Sequence, residues 1–219
     1  MSLVRWGAVV AAVIWFSAPG LDGAQATVPD GLRLEYRVLR DGFEIGRHKT
    51  WFRHGDEAEM MTVETEIRIT VKLFFITLYT YRLDSIETWR GDRLVTLESS
   101  TDDDDDLYAV HAVAEDDGLR VDGAQETWTA PAMIMPTSLW RREMAQGSLL
   151  LGVEQGEALA VVFHEAGRET VTAGGAEVSA AKLVVSGDLE RELWYGDDGI
   201  LLHMRLIGSD GSTITYELQ

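Results

Sequence analysis

The stretch from Thr62 to Arg93, TVETEIRITVKLFFITLYTYRLDSIETWRGDR, alternates apolar and polar residues as far as Val71. A period of two places the two sets on opposite faces of a strand, one packed and one exposed to water. Between residues 73 and 81 apolar side chains occupy both faces. A single strand of this length would span roughly 100 Å at about 3.3 Å per residue, so the stretch predicts two long antiparallel strands that reverse direction near residues 73–76. Because turns are usually polar, we expect this apolar junction to be capped by another element or to line an apolar space.

The rest of the chain repeats short alternating segments that are separated by turn residues. Asp41-Gly42 lies between two of them, and this dipeptide is a strong signal for a two-residue hairpin because both residues accept positive φ. Gly46 in the returning strand predicts a bulge or a close backbone approach. The segments amount to roughly a dozen strands. So many strands would not form a stable flat sheet, so the chain predicts an all-β fold with a strongly curved antiparallel sheet or an incomplete β-barrel.

One segment in the middle of the chain has helical signals. Thr137 or Ser138, which follow Pro136, can cap a helix that runs over about 137–145, and Gly147 would end it. This is the strongest helix prediction outside the N-terminal region.

The N-terminal region has the pattern of a secretory signal peptide over residues 1–26. A positive residue, Arg5, precedes a short apolar run, and Ala24-Gln25-Ala26 supplies small residues for cleavage after Ala26. This predicts a single β-rich domain over residues 27–219, located in the bacterial periplasm or secreted, with no stable membrane insertion after cleavage. The apolar run is too short for a comfortable membrane span.

Charge and composition exclude several classes of function. The formal net charge is −18, and an acidic surface repels nucleic-acid phosphates, so no nucleic-acid partner is expected. The chain has no cysteine and its five histidines show no zinc-like spacing, so neither a metal site nor a cofactor is predicted. The acidic run Asp102–Asp106 could attract a cation, but adjacent like charges are more typical of a hydrated hairpin tip.

Four motifs, in this order along the chain, resemble those of a family of exported bacterial proteins of unknown function. They are YRVLRDGFEIGRH at 36–48, PTSLW at 136–140, ELWYGDDG at 192–199 and GSTITY at 211–216. The resemblance implies a sheet-rich exported protein without an established activity, and it supplies no catalytic residues. A looser likeness, of architecture only, is to the periplasmic lipoprotein-carrier cradles, in which a curved sheet holds acyl chains under short helices.

Aromatic and methionine side chains are the candidate ligand-binding residues. Aromatic residues suit the lining of an apolar site, and methionine adapts to irregular partners, although the same residues could simply form a core. The predicted ligand-binding residues are Phe74, Phe75, Tyr79, Tyr81, Trp89, Trp128, Met133, Met135 and Trp140. They predict a non-enzymatic binding protein for a lipid or another apolar small molecule, with the helix over 137–145 as a lid.

Two alternatives remain open at the level of sequence. Ser138 at a helix start could be the nucleophile of a hydrolase, although no G-x-S-x-G motif or partner base is recognisable and helix capping explains the residue without chemistry. The chain could also be an interaction module that pairs with an unidentified protein through its strand edges. A binding protein requires a cavity, a hydrolase requires a base within hydrogen-bond reach of Ser138, and an interaction module requires a filled core and an apolar outer patch.

Overall fold

The computed structural model describes residues 28–57 and 59–219, so the predicted signal peptide and its cleavage site lie outside the described residues. The described chain forms one sheet of 15 strands. These are β1 Arg33–Arg40, β2 Phe43–His54, β3 Met60–Leu73, β4 Ile76–Arg90, β5 Arg93–Asp103, β6 Asp106–Ala114, β7 Leu119–Asp122, β8 Thr127–Ala130, β9 Met135–Pro136, β10 Leu149–Leu151, β11 Ala158–Ala173, β12 Ala176–Gly187, β13 Arg191–Tyr195, β14 Leu201–Ile207 and β15 Thr213–Leu218. Within this part of the chain, the one helical element is a single 3-10 turn, Arg142–Met144.

Strands that follow one another in sequence pair antiparallel, except that β9 and β10 pair in parallel and that β8 and β9, the two ends of the strand order, do not pair. The pairing of β1 with β15 joins the two halves of the chain into one continuous sheet. This confirms the predicted strongly curved, largely antiparallel sheet. The structure adds that the sheet does not close into a barrel, because its end strands β8 and β9 do not pair. The predicted count of roughly a dozen strands was low, in part because β9 and β10 span two and three residues and are too short to show a period of two.

The two long strands predicted from the opening stretch are β3 and β4, and they reverse at Phe74 and Phe75. Pairing with the outer neighbours stops earlier, at Ile69 on β3 and at Tyr81 on β4, so the last part of this hairpin is a two-stranded ribbon beyond the sheet. Phe74 and Phe75 are 89% and 101% exposed. The expectation that another element caps this apolar junction is therefore wrong, because within residues 28–57 and 59–219 nothing covers it.

Glycine allows a close backbone approach between β2 and β3. A Cβ atom on Gly46 would lie 2.1 Å from the carbonyl oxygen of Arg68 and 2.8 Å from the Cα atom of Ile69. The predicted close approach is confirmed. The turn before β2 is also as predicted, since Asp41 and Gly42 have φ angles of 48° and 85°.

The helix predicted over 137–145 is wrong. Leu139 has a φ angle of 43°, which interrupts a right-handed helix, and the backbone carbonyls bond to other strands instead of to the next helical turn. Those of Thr137, Leu139 and Trp140 accept hydrogen bonds from the Arg191 guanidinium, the Tyr195 hydroxyl and the Leu201 N–H. We refer to residues 137–145 as the plug segment.

The plug segment fills one end of the curved sheet instead of acting as a lid. Trp140 packs edge-on against Phe52 of β2 and Trp89 of β4, with ring centroids 4.9 and 6.3 Å apart. Tyr195 of β13 bonds the same segment from the other half of the sheet. The plug segment thus connects opposite walls and forms the base of the interior.

Candidate binding cavity

The concave side of the sheet is not packed solid. A cavity of about 580 Å³ lies above the plug segment, with walls from both halves of the sheet. Thr137, Ser138 and Trp140 line its base, whereas Arg40 and Asp210 line the end near the turns that follow β1 and β14. The volume falls in the range of about 300–1,000 Å³ that is typical of small-molecule sites.

Most of the cavity wall is apolar. The inward positions of β2, β3 and β4 and those of β14 and β15 supply branched aliphatic and methionine side chains, as expected from their alternation along each strand. The apolar lining residues are Ile45, Ile67, Ile69, Val71, Leu78, Leu83, Leu201, Met204, Leu206 and Ile214. Such a lining favours a ligand with substantial apolar surface.

A row of small hydroxyl residues crosses the sheet near the base of the cavity. Thr50, Thr65, Ser85 and Ser99 occupy directly paired positions on β2 to β5, and all four are buried. Thr50 and Thr65 share a hydrogen bond of 3.4 Å, and His48 Nε2 lies 3.1 Å from the Thr50 hydroxyl. The Ser85 hydroxyl has no hydrogen-bond partner among the described residues. This row puts hydrogen-bonding groups where a continuous apolar core would otherwise be expected.

Below this row, the Glu87 carboxyl is fully buried and holds two tryptophans. Its Oε2 atom accepts hydrogen bonds from Trp89 Nε1 at 2.9 Å and Trp140 Nε1 at 3.4 Å. Burial raises the pKa of Glu87, while the Ser138 hydroxyl and the two indoles oppose that rise. The sequence analysis did not identify Glu87, although alternation along β4 places it on the same face as Leu83 and Trp89.

Ser138 lies next to a buried carboxyl but makes no well-formed nucleophile–base pair with it. Its hydroxyl has no hydrogen bond of good geometry among the described residues, and the neighbouring Glu87 carboxyl, whose pKa is raised by burial, accepts from the indole N–H groups of Trp89 and Trp140. His48 also lines the cavity but bonds Thr50 instead.

Charged groups lie on two sides of the cavity. Arg191 Nη1 donates to the Thr137 carbonyl at 3.1 Å, and Glu154 Oε2 accepts from the Tyr81 hydroxyl at 3.1 Å. Burial lowers the pKa of His48 to about 4, and the positive charge of Arg191 contributes to this, so this histidine is neutral near pH 7. Alternation along β13 places Arg191 on the same face as the buried Leu193 and Tyr195, a signal that the sequence analysis missed.

The structure brings together only part of the predicted ligand-binding set. Tyr79, Tyr81 and Trp140 line the cavity. Phe74 and Phe75 lie at the exposed tip of the β3–β4 ribbon, beyond the lining residues Val71 and Leu78. The other four lie elsewhere: Trp89 is buried behind Trp140, Met135 is buried on β9, Met133 is exposed, and half-buried Trp128 on β8 donates to the Gly156 carbonyl.

The acidic run forms the turn between β5 and β6. Asp104 and Asp105 both have positive φ, and Asp103 accepts a hydrogen bond of 2.6 Å from the Tyr79 hydroxyl. Within residues 28–57 and 59–219, no group of three or more His, Cys, Asp or Glu side chains is arranged to hold a metal ion. The same part of the chain contains no helix that is both long and apolar enough to cross a membrane.

Comparison with known proteins defines the class. Residues 36–219 match the domain of unknown function DUF6134, and the chain belongs to this family. The crystal structure of a β-barrel-like protein of the domain of unknown function DUF1849 from Brucella abortus is similar, with a TM-score of 0.57 over 85% of this chain and 94% of that one. At 14% sequence identity, the likeness concerns the fold alone. No curated protein matches the chain.

Proposed function

We propose that the protein is a non-enzymatic binding protein of the bacterial periplasm that holds an apolar or amphipathic small molecule in the cavity above the plug segment. The observation that carries this proposal is the space itself, about 580 Å³ with a largely apolar wall. A structural or interaction module has no need for such a space inside its sheet, since an unfilled interior lowers stability.

The energetics favour an amphipathic ligand over a purely apolar one. A chain of about a dozen CH₂ groups gains roughly 10 kcal/mol on burial at about 0.8 kcal/mol each, and association costs at least about 4 kcal/mol. The remaining ~6 kcal/mol corresponds to a dissociation constant on the order of 10⁻⁵ M. Tighter binding requires additional polar contacts, and the base of the cavity supplies candidates for them.

Export supports the same proposal. The signal-peptide pattern at residues 1–26 would deliver the domain to a compartment between membranes, where lipids and other amphiphiles must cross an aqueous layer. We therefore propose a periplasmic carrier or sensor role for the binding protein, with a lipid or another apolar molecule as its ligand.

A pair of tryptophan substitutions on adjacent residues of β3 tests this proposal. Ile67 lines the cavity, whereas Glu66 alternates with it onto the outer face and bonds Arg68 there. Ile67→Trp should fill part of the cavity and weaken uptake of a neutral fluorescent probe, N-phenyl-1-naphthylamine, by about tenfold or more. Glu66→Trp should leave uptake unchanged. Equal uptake by the wild type and both variants would place the probe outside the cavity and contradict the proposal.

A further inference from the structure

Arg191 is a half-buried charged side chain in the cavity lining with unused hydrogen-bonding capacity. A guanidinium carries five N–H donors, and within the described residues its one hydrogen bond is from Nη1 to the Thr137 carbonyl. No carboxylate oxygen in this part of the chain lies within 4.0 Å of its nitrogens. Since burying an unpaired cation is unfavourable, the remaining donors are available to a group that enters the cavity.

Two serine hydroxyls line the same cavity as Arg191. Ser138 follows the residue whose carbonyl Arg191 contacts, and Ser85 is only 4% exposed. Both line the cavity. The Ser85 hydroxyl has no hydrogen-bond partner among the described residues, and the Ser138 hydroxyl lies beside the Glu87 carboxyl without a hydrogen bond of good geometry. A guanidinium and hydroxyl donors that line one cavity are a chemically suitable set for a planar carboxylate, which Arg binds through two parallel hydrogen bonds.

The other charged groups of the cavity are already engaged. The hydroxyls of Tyr79 and Tyr81 donate to Asp103 and Glu154. Arg40 forms an ion pair with Asp210 at the end far from the plug segment. Asp103 and Glu154 accept from tyrosines and not from cations, so both carboxylates oppose an anion in the cavity. The substitution Glu154→Gln therefore makes a reciprocal test possible.

We propose that the cavity binds a single-chain amphiphile with a carboxylate head, which Arg191 holds near Ser138 and Ser85 while the chain lies against the aliphatic wall. The inference rests on the proposed function, because it specifies the ligand class of the same cavity. The head group thus lies near the plug segment and the chain extends toward the turns that follow β1 and β14.

The test compares three probes that share a twelve-carbon chain: dodecanoate, dodecanol and dodecylammonium. The affinity of each probe is measured by its displacement of N-phenyl-1-naphthylamine from the purified protein. The wild type should bind dodecanoate about tenfold or more tightly than dodecanol, the strength expected of a charge-assisted bidentate contact. Arg191→Gln should abolish this preference and leave the affinity for dodecanol unchanged. Glu154→Gln should increase the affinity for dodecanoate. Arg205→Gln is the matched control, because this exposed arginine on β14 pairs with Glu192 outside the cavity.

The outcomes separate this inference from the proposed function. The head-group assignment would be overturned if the wild type bound dodecanoate and dodecanol with equal affinity, or if Arg191→Gln lost affinity for both equally. Either result would leave the proposed binding of an apolar chain in the cavity intact. Tighter binding of dodecylammonium that Glu154→Gln removes would overturn it in favour of a cationic head. Failure of the wild type to bind any of the three probes would overturn both the assignment and the proposed function.

Discussion

Glu87 should be essential to the connection between the sheet and the plug segment. Replacing it with alanine removes the acceptor of the Trp89 and Trp140 indole N–H groups and leaves two buried donors unpaired. Each unpaired donor costs about 1–3 kcal/mol, so Glu87→Ala should lower the free energy of unfolding by about 2–6 kcal/mol at pH 7. Glu87→Gln keeps one carbonyl acceptor and removes a buried ionisable group, so its loss should be below about 1 kcal/mol.

The pH dependence gives this prediction a second signature. Burial raises the folded-state pKa of Glu87, so the unfolded chain releases this proton at a lower pH than the folded protein does. The protonated carboxyl therefore stabilises the fold at low pH, and this stabilisation is lost as the pH rises above the usual carboxyl range. Glu87→Gln lacks that loss, so its stability relative to the wild type should increase from about pH 4.5 upward. Urea denaturation followed by tryptophan fluorescence measures both effects. Glu98→Ala, on the exposed face of β5, is the control. If Glu87→Ala were no less stable than Glu98→Ala, the role assigned to Glu87 would be wrong.

Three further predictions concern stability. Because burial lowers the pKa of His48 from 6.5 to about 4, the wild type should lose about 3 kcal/mol of stability as pH falls from 6.5 to 4. His48→Gln should remove that part of the slope in denaturation curves, and an unchanged slope would refute the assignment. Replacing both Phe74 and Phe75 with serine should leave the melting temperature within about 2 °C, because both side chains are exposed, while reducing binding of an apolar dye; a large fall in melting temperature would show that they are packed. Gly46→Ala should lower unfolding free energy by more than about 2 kcal/mol, because its Cβ would collide with the Arg68 carbonyl, and a neutral result would contradict the close approach.

The parts of the fold that the sequence predicts are those that local patterns encode. Alternation with a period of two identifies β3 and β4, and Asp41-Gly42 identifies a hairpin turn. The helix over 137–145 failed because its capping residues satisfy a local rule while tertiary contacts decide the conformation. Tyr195, whose hydroxyl bonds the Leu139 carbonyl, and the positive φ of Leu139 belong to contacts that no local pattern contains.

A cavity was predicted, but only part of its lining was: Tyr79, Tyr81 and Trp140. Phe74 and Phe75 were selected because they are aromatic, yet they occupy the tip of a ribbon that extends past its neighbouring strands. The sequence does not show this, because how far a strand extends past its neighbour depends on the register in which the two pair. Glu87 and Arg191 could have been identified, since each occupies an inward position by alternation along its strand. The row of hydroxyls requires the register of four strands, which alternation along a single strand does not specify.

Native mass spectrometry of the protein, purified from a bacterial host without detergent, tests the central claim most directly. The account predicts a reproducible small-molecule adduct on the wild type that organic solvent extracts, and its loss from Ile67→Trp but not from Glu66→Trp. A wild-type spectrum that shows only the bare polypeptide mass, together with no uptake of N-phenyl-1-naphthylamine, would contradict the claim that the cavity is a binding site.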